Sequence, residues 1–123
     1  MKNTNQFLVN AAADTSSYTS QAVWSWQWLT ASFMAYFSEA TAAGTIQLQY
    51  SNDMPTGVTN PNVQFTPTNW ANVPGSTATA TIVAGATGTV YPPVNFVAQW
   101  YRIVFTRTGG AGTFSVTYDA FAV

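Results

Sequence analysis

Cysteine and histidine are absent from this 123-residue chain, and charged side chains are few: three Lys or Arg and four Asp or Glu, for a net charge of −1. Without Cys, no disulfide framework and no thiolate chemistry is expected, and the redox compartment stays undetermined. Because His is missing as well, nucleophilic triads and most zinc or copper sites are excluded. The polar surface must be built from Thr, Ser, Asn and Gln.

The scarcity of basic residues limits the partners that the chain can have. Lys2, Arg102 and Arg107 are the three basic residues, too few for a phosphate-binding stripe, so nucleic acid is not an expected partner. No apolar run approaches ~20 residues, so no membrane span is predicted. The first residues lack the apolar core of a secretory signal, and we expect synthesis and assembly in the cytoplasm.

The four carboxylates do not form a catalytic pattern. Acid–base or glycosidic catalysis needs two carboxylates on the same cleft wall. Here they are scattered over connections and one strand, at Asp14, Glu39, Asp53 and Asp119. The sequence therefore predicts a protein that is not an enzyme, with no catalytic residue and no cofactor.

One region offers oxygen ligands for calcium, which requires several of them in a cluster. Asn52 and Asp53 end a predicted strand, and Asn60 or Asn62 could join them from the following loop. The alternative is a turn in which the side chains of Asn52 and Asp53 bond to their own backbone.

Short stretches rich in aromatic and β-branched residues alternate with Gly, Pro, Asn and Ser throughout the chain. We count about eight or nine such strands, no credible helix and no tandem repeat. This pattern predicts a single all-β domain, 1–123, built as an antiparallel β-sandwich with jelly-roll-like topology. Residues 1–14 are either an edge strand or an arm that docks on a neighbouring subunit, and residues 54–67 form a long Pro-rich loop.

The last stretch predicts a β-hairpin, with Val97–Thr108 and Thr113–Val123 on either side of the Gly-rich segment 109–112. Pairing Thr108 with Thr113 places Ile103 opposite Tyr118 on an apolar face. The same register places Arg102 opposite Asp119 on the polar face, which predicts a structural ion pair.

A second hairpin is predicted between Leu29–Phe37 and Gly44–Tyr50. Its register sets Phe33 opposite Leu48, and its apolar face also contains Leu29. The polar and apolar side chains separate onto opposite faces as cleanly as in the first hairpin.

Trp24, Trp26 and Trp28 stand at alternating positions and would share one strand face. Such a row is either core or an intersubunit contact, because exposed apolar patches of that size are uncommon on monomers, or it is a platform on which sugar rings stack. The long loop is the other candidate for intersubunit contact. Its candidate residues are Pro55, Val58, Pro61, Val63 and Phe65.

Three segments carry a family resemblance: Gly44–Asp53, Thr68-Asn69-Trp70 with Val73-Pro74, and Trp100–Thr113. They resemble small phage-encoded β-sandwich proteins of the discoidin-like or galactose-binding-like kind, over roughly Ala22–Val123. Some members belong to virions as capsid-decorating or other accessory components. The chain departs from them in the insertion Met54–Pro67, and the resemblance implies no catalytic residues.

The resemblance and the low charge together predict a non-enzymatic virion component. A chain with so little charge tends to associate unless it is always part of an assembly. We expect a capsid-decorating or accessory protein that forms homo-oligomers, binds the major capsid protein and is located in the virion. The alternative is a carbohydrate-binding module on a tail or head appendage that contacts a glycan of the host surface.

Overall fold

The computed structural model describes residues 2–13, 18–25, 28–37, 43–54, 65–73, 81–82, 87–90, 96–109 and 113–122. Within these ranges there are ten β-strands and no helix. The strands are β1 (Lys2–Ala13), β2 (Tyr18–Thr19), β3 (Val23–Trp24), β4 (Trp28–Phe37), β5 (Ala43–Ser51), β6 (Ala71–Asn72), β7 (Thr81–Ile82), β8 (Thr87–Val90), β9 (Trp100–Gly109) and β10 (Thr113–Ala122). No helix long and apolar enough to cross a membrane occurs in these ranges.

The strands form two antiparallel sheets. Sheet A has the order β1-β10-β4-β8, and sheet B has the order β2-β9-β5-β6, with β3 also on β9 and β7 also on β5. Because β2 and β3 share a neighbour, as β6 and β7 do, each pair acts as one interrupted strand, and both sheets become four-stranded. When each interrupted pair is counted as one strand, every step along the described strands passes to the other sheet except the step from β5 to β6, as in a jelly roll. The predicted all-β antiparallel sandwich is confirmed.

The core lies between the two sheets and follows the alternation of the sequence. In β4, Phe33 and Ala35 are buried whereas Ser32 and Met34 are exposed, as side chains on opposite faces of a strand must be. The largest completely buried apolar side chains come from both sheets: Phe33 and Val116 from sheet A, and Ile46, Leu48, Ile103 and Phe105 from sheet B.

Both predicted hairpins are wrong, because their strands lie in different sheets. Ile103 of β9 pairs with Leu48 of β5, and Phe33 of β4 pairs with Tyr118 of β10. The four residues therefore exchange the partners that the sequence predicted. The physical reason is that two strands can bury their apolar faces equally well as neighbours in one sheet or as facing strands of a sandwich. The segment 110–112 between β9 and β10 lies outside the described residues.

Among the β4 side chains that the structure describes, 28–35, Leu29 lies on a different face from the one predicted. Phe121 pairs with Thr30 and Ala122 pairs with Trp28, so Leu29 is the extra residue of a β-bulge. A bulge shifts the alternation by one residue. Leu29 is consequently 50% exposed, and Trp28 turns inward, where its ring stacks on Tyr101 with centroids 6.1 Å apart.

Candidate functional site

The predicted row of three tryptophans does not form. Trp24 belongs to β3 in sheet B and pairs with Trp100, whereas Trp28 belongs to β4 in sheet A. The ring of Trp28 packs against the core, 5.4 Å from that of Tyr118. Trp26 lies outside the described residues. The chain changes sheets between Trp24 and Trp28, so they cannot form one platform.

Of the loop residues predicted to contact another subunit, Phe65 is the one that the structure describes. Its ring lies 6.0 Å from that of Trp100. Phe65 therefore covers a buried aromatic residue of its own chain. The other four, Pro55, Val58, Pro61 and Val63, lie outside the described residues.

The predicted ion pair between Arg102 and Asp119 is also wrong. Arg102 is on the outer face of sheet B, where its Nε donates a hydrogen bond to Oε1 of Gln49 at 2.8 Å. Asp119 is in sheet A, between Asn5 of β1 and Ser32 of β4. Both side chains alternate with buried neighbours, so they point away from the core on opposite sides of the sandwich.

A cleft of about 570 Å³ lies at one end of sheet B, between the end of β5 and the segment 65–73. Its walls combine aromatic rings with amide, hydroxyl and carboxylate groups. The lining residues are Tyr50, Ser51, Asn52, Asp53, Thr68, Asn69, Trp70 and Ala71. This open surface of mixed composition is the candidate site.

Asp53 joins the two walls of the cleft. Its Oδ2 accepts backbone N–H bonds from Thr68 at 2.8 Å and from Asn69 at 2.9 Å. Its Oδ1 accepts a bond from Nδ2 of Asn69 at 3.1 Å. The backbone N–H groups of Asn69 and Thr68, followed by the Asn69 side chain, lower the pKa of Asp53, because these bonds favour its ionised form.

The wall formed by the end of β5 is held from the other side by β9. Oδ1 of Asn52 accepts the backbone N–H of Gln99 at 3.1 Å, and Nε1 of Trp100 donates to the carbonyl of Asp53 at 3.1 Å. The N–H of Asp53 donates to Oγ of Ser51 at 3.1 Å. Among the described residues, the side chains of Asn52 and Asp53 bond to distant segments, to Gln99 and to Thr68 and Asn69, and not to their own backbone as the turn alternative required.

Trp70 forms the aromatic part of the other wall. The guanidinium carbon of Arg102 lies 4.3 Å from the centre of its ring, within the range of a cation–π contact. Nε1 of Trp70 donates to the carbonyl of Pro67 at 3.2 Å. Beyond the ring, β6 is hydrogen-bonded to β5 at Gln49–Asn72 and Tyr50–Ala71. These contacts within the chain fix the orientation of the ring.

The calcium prediction is not strengthened by the cleft. In the part of the chain that is described, no group of three or more His, Cys, Asp or Glu residues could hold a metal ion. Asn60 and Asn62, the predicted additional ligands, lie outside the described residues. Most acceptor positions of Asp53 are already used by Thr68 and Asn69.

Comparison with protein-family models gives no match, and comparisons with curated proteins and with solved structures give none either. The resemblance to phage-encoded sandwiches therefore rests on its three motifs. The structure brings these motifs together: the Ser51–Asp53 end of the first, the Thr68–Trp70 part of the second and Trp100 of the third meet at the cleft. Sequence reasoning named these residues but did not predict their contact.

Proposed function

We propose that this chain is a non-enzymatic structural protein of a phage virion, a capsid-decorating or accessory protein that self-associates and binds the major capsid protein of the shell. The observation that carries the proposal is the position of β1 at the edge of sheet A. At twelve residues, β1 is about twice the usual strand length of ~5–6 residues.

An edge strand offers a row of backbone N–H and C=O groups to another chain. Among the described strands, β10 is the only neighbour of β1, so its other edge has no strand on it. The stretch Lys2–Phe7 pairs with β10 without a register shift. Natural edge strands block pairing with charged residues and proline. This stretch contains one charged residue, Lys2, and no proline. This stretch is suited to strand addition by a neighbouring subunit.

Exposed apolar side chains elsewhere in sheet A favour the same sheet for assembly. Phe121, which pairs with Asn3 of β1, is 43% exposed, and Met34 is 41% exposed on the same outer face of sheet A. Leu29, at the bulge, is 50% exposed. Burying these side chains against a second protein would add apolar area to the backbone pairing.

The shell is the proposed partner because of the resemblance to virion accessory proteins. Jelly rolls are common in viral capsid proteins, although they also occur in lectins, and a fold alone does not decide between functions. The low charge supports the same choice, since a chain that is permanently assembled does not depend on net charge for solubility. We accordingly propose a location in the virion.

The experiment measures the mass of the purified chain by light scattering and its co-sedimentation with assembled phage shells. We expect an oligomer that sediments with the shells. Asn5→Lys, which adds a charge to the β1 edge, should dissociate the oligomer. Thr106→Lys is the matched control, because Thr106 is exposed on the outer face of sheet B. A monomer that ignores shells would contradict the proposed function, and an Asn5→Lys oligomer of unchanged mass would exclude the β1 edge.

The alternative function, glycan binding through the tryptophan row, loses its predicted platform because Trp24 and Trp28 lie in different sheets. A glycan would therefore have to bind elsewhere on this chain.

A further inference from the structure

We infer that the strand added to β1 is the β1 strand of a second copy of this chain, paired antiparallel about a two-fold axis at Thr4 or Asn5. Because sheet A has four strands in each copy, this pairing joins two copies of sheet A into one continuous sheet. The pairing rests on the self-association of the proposed function and names the strand and the symmetry that produce it.

The edges of the two sheets differ greatly in length. Among the described strands, the edge of sheet A opposite β1 is β8, which has four residues. The edges of sheet B are formed by β2 with β3 and by β6 with β7, and each of these strands has two residues. Very short edge strands are one way in which natural proteins prevent pairing with other chains. The twelve-residue β1 is the long edge that the described strands leave open.

This difference in length identifies the partner strand. A second copy offers the same set of edges, and its own β1 is the one that can pair with β1 over several residues. An interface in which both copies use the same surface is isologous and closes as a two-fold dimer. A two-fold axis perpendicular to the sheet makes the two β1 strands antiparallel, which is also the more stable ladder per residue.

The regular part of β1 is its first half. Lys2–Phe7 pairs with β10 in continuous register, whereas register shifts follow between Phe7 and Val9 and between Val9 and Ala12. Bulges bend and twist a strand and so turn an edge away from pairing. We therefore expect the contact between the two copies to be centred on the stretch 2–7.

Symmetry restricts the register further. In an antiparallel pair, two directly opposite residues either both exchange backbone hydrogen bonds or both do not, and these two kinds of pair alternate along the strands. Both copies present the same edge, so opposite residues are an even number of positions apart, and the residue at the axis faces itself. Thr4 and Asn5 are the central positions of the regular stretch. With Thr4 at the axis residues 2–6 pair, and with Asn5 at the axis residues 3–7 pair.

The charge of β1 fits the antiparallel arrangement. Lys2 is its only charged residue. In the two registers, Lys2 lies opposite Gln6 or Leu8 of the second copy, so the two ammonium groups are at opposite ends of the paired stretch. A parallel, in-register pair would place the two Lys2 residues opposite each other, and like charges in that position are destabilising.

Amide hydrogen exchange on the native oligomer tests the pairing without changing any side chain. In an edge strand with one neighbour, alternate N–H groups have no strand to bond to. We expect consecutive amides from Asn3 to Gln6 to be protected, because β10 bonds one set and the second β1 bonds the other. The control is β8, in which alternate amides should exchange fast. Fast exchange of every second amide between Asn3 and Gln6 overturns the inference.

Disulfide trapping then locates the axis, in a chain that has no Cys of its own. Directly opposite Cα atoms lie ~4.5–5.5 Å apart, within the ~4.4–6.8 Å that a disulfide spans. One of the single variants Thr4→Cys and Asn5→Cys should therefore form a covalent dimer of twice 13.2 kDa under mild oxidation. The other should not, since its copies are diagonal neighbours ~7–8 Å apart.

Thr106→Cys, exposed on the outer face of sheet B, is the control and should stay unlinked. Crosslinking of neither β1 variant, or of both equally, overturns the inference.

The mass of the chain and its co-sedimentation with shells separate this pairing from the proposed function. A chain that stays monomeric and ignores shells contradicts both. An oligomer with an odd number of copies, or a β1 edge whose amides become protected only after shells are added, overturns the two-fold pairing and leaves the shell role standing. A two-fold dimer that ignores shells supports the pairing and contradicts the shell role.

Discussion

The indole N–H of Trp100 donates to the backbone carbonyl of Asp53 over 3.1 Å, across a sequence separation of 47 residues. This bond ties the start of β9 to the segment that follows β5. The side chain of the same Asp53 binds the backbone of Thr68 and Asn69. One residue therefore connects three segments that share no secondary-structure element, and its ionisation state should influence how firmly they are held.

The first prediction concerns acid. Hydrogen bonds from Asn69 and Thr68 lower the pKa of Asp53 from its ordinary value of 3.8. The contribution of the ionised carboxylate to stability is therefore fully present above pH 3.8 and is lost as the pH falls through the lower pKa of the folded state. Carboxyl ¹³C NMR should show Asp53 titrating below 3.8, and Asp53→Asn should unfold with a weaker dependence on acid. A titration midpoint at 3.8 in the native chain would contradict the bonds to Thr68 and Asn69.

The second prediction concerns two glycines at the same end of the β5–β9 pair, Gly44 at the start of β5 and Gly109 at the end of β9. A Cβ on Gly44 would lie 2.5 Å from the carbonyl oxygen of Thr106 and would also collide with the ring of Phe105, whereas a Cβ on Gly109 would meet nothing within 4 Å. Gly44→Ala should therefore lower the free energy of unfolding by ~1–3 kcal/mol through overpacking. Gly109→Ala, the matched control, should change it by less than about 0.5 kcal/mol. Urea unfolding measures both, and equal effects would argue against the close approach of β5 and β9.

The third prediction concerns alkaline pH. Burial raises the pKa of Tyr101 to about 12, from an ordinary value of 10.0. Its contribution to stability is complete below pH 10 and is lost as the pH rises from 10 towards 12, because the unfolded chain releases the proton first. Tyr101→Phe keeps the ring beside Trp28 and Phe33 and should lose less stability over that interval. Urea unfolding at several pH values tests this prediction. Burial also raises the pKa of Tyr118, so Tyr118 should account for part of the alkaline loss of stability that remains in Tyr101→Phe. Identical alkaline losses in the two proteins would contradict the prediction.

The sequence predicts the fold class and most of the core because a strand that is buried on one side alternates with period two. Phe33 and Leu48 are both correctly assigned to the core on this basis. Leu29 is not, since the bulge that exposes it depends on the packing of Trp28 against Tyr101 and Tyr118. Alternation of side chains holds no information about that tertiary contact.

The sheet to which each strand belongs is a second property that alternation does not determine. A hairpin and a pair of facing strands bury the same residues, so the pattern around Phe33 and Ile103 fits both. The cleft could not be predicted from the sequence for a related reason. Asp53 reaches Thr68 and Trp100 across 15 and 47 residues, and contacts of that range have no periodic signature.

The last prediction decides between the hairpin and the sandwich by disulfide trapping, for which a chain without Cys is a clean background. Gln49 and Arg102 are directly paired in β5 and β9, so the Cα atoms of Gln49→Cys and Arg102→Cys should lie ~4.5–5.5 Å apart, within the ~4.4–6.8 Å range that a disulfide spans. That double variant should crosslink under mild oxidation.

Arg102→Cys combined with Asp119→Cys is the control, because the two positions lie in opposite sheets, which pack ~10 Å apart, and point away from each other. Non-reducing mass spectrometry after proteolysis should find the intramolecular 49–102 bond and no 102–119 bond. Efficient formation of the 102–119 bond together with failure of the 49–102 bond would restore the hairpin and exclude the strand order of sheet B.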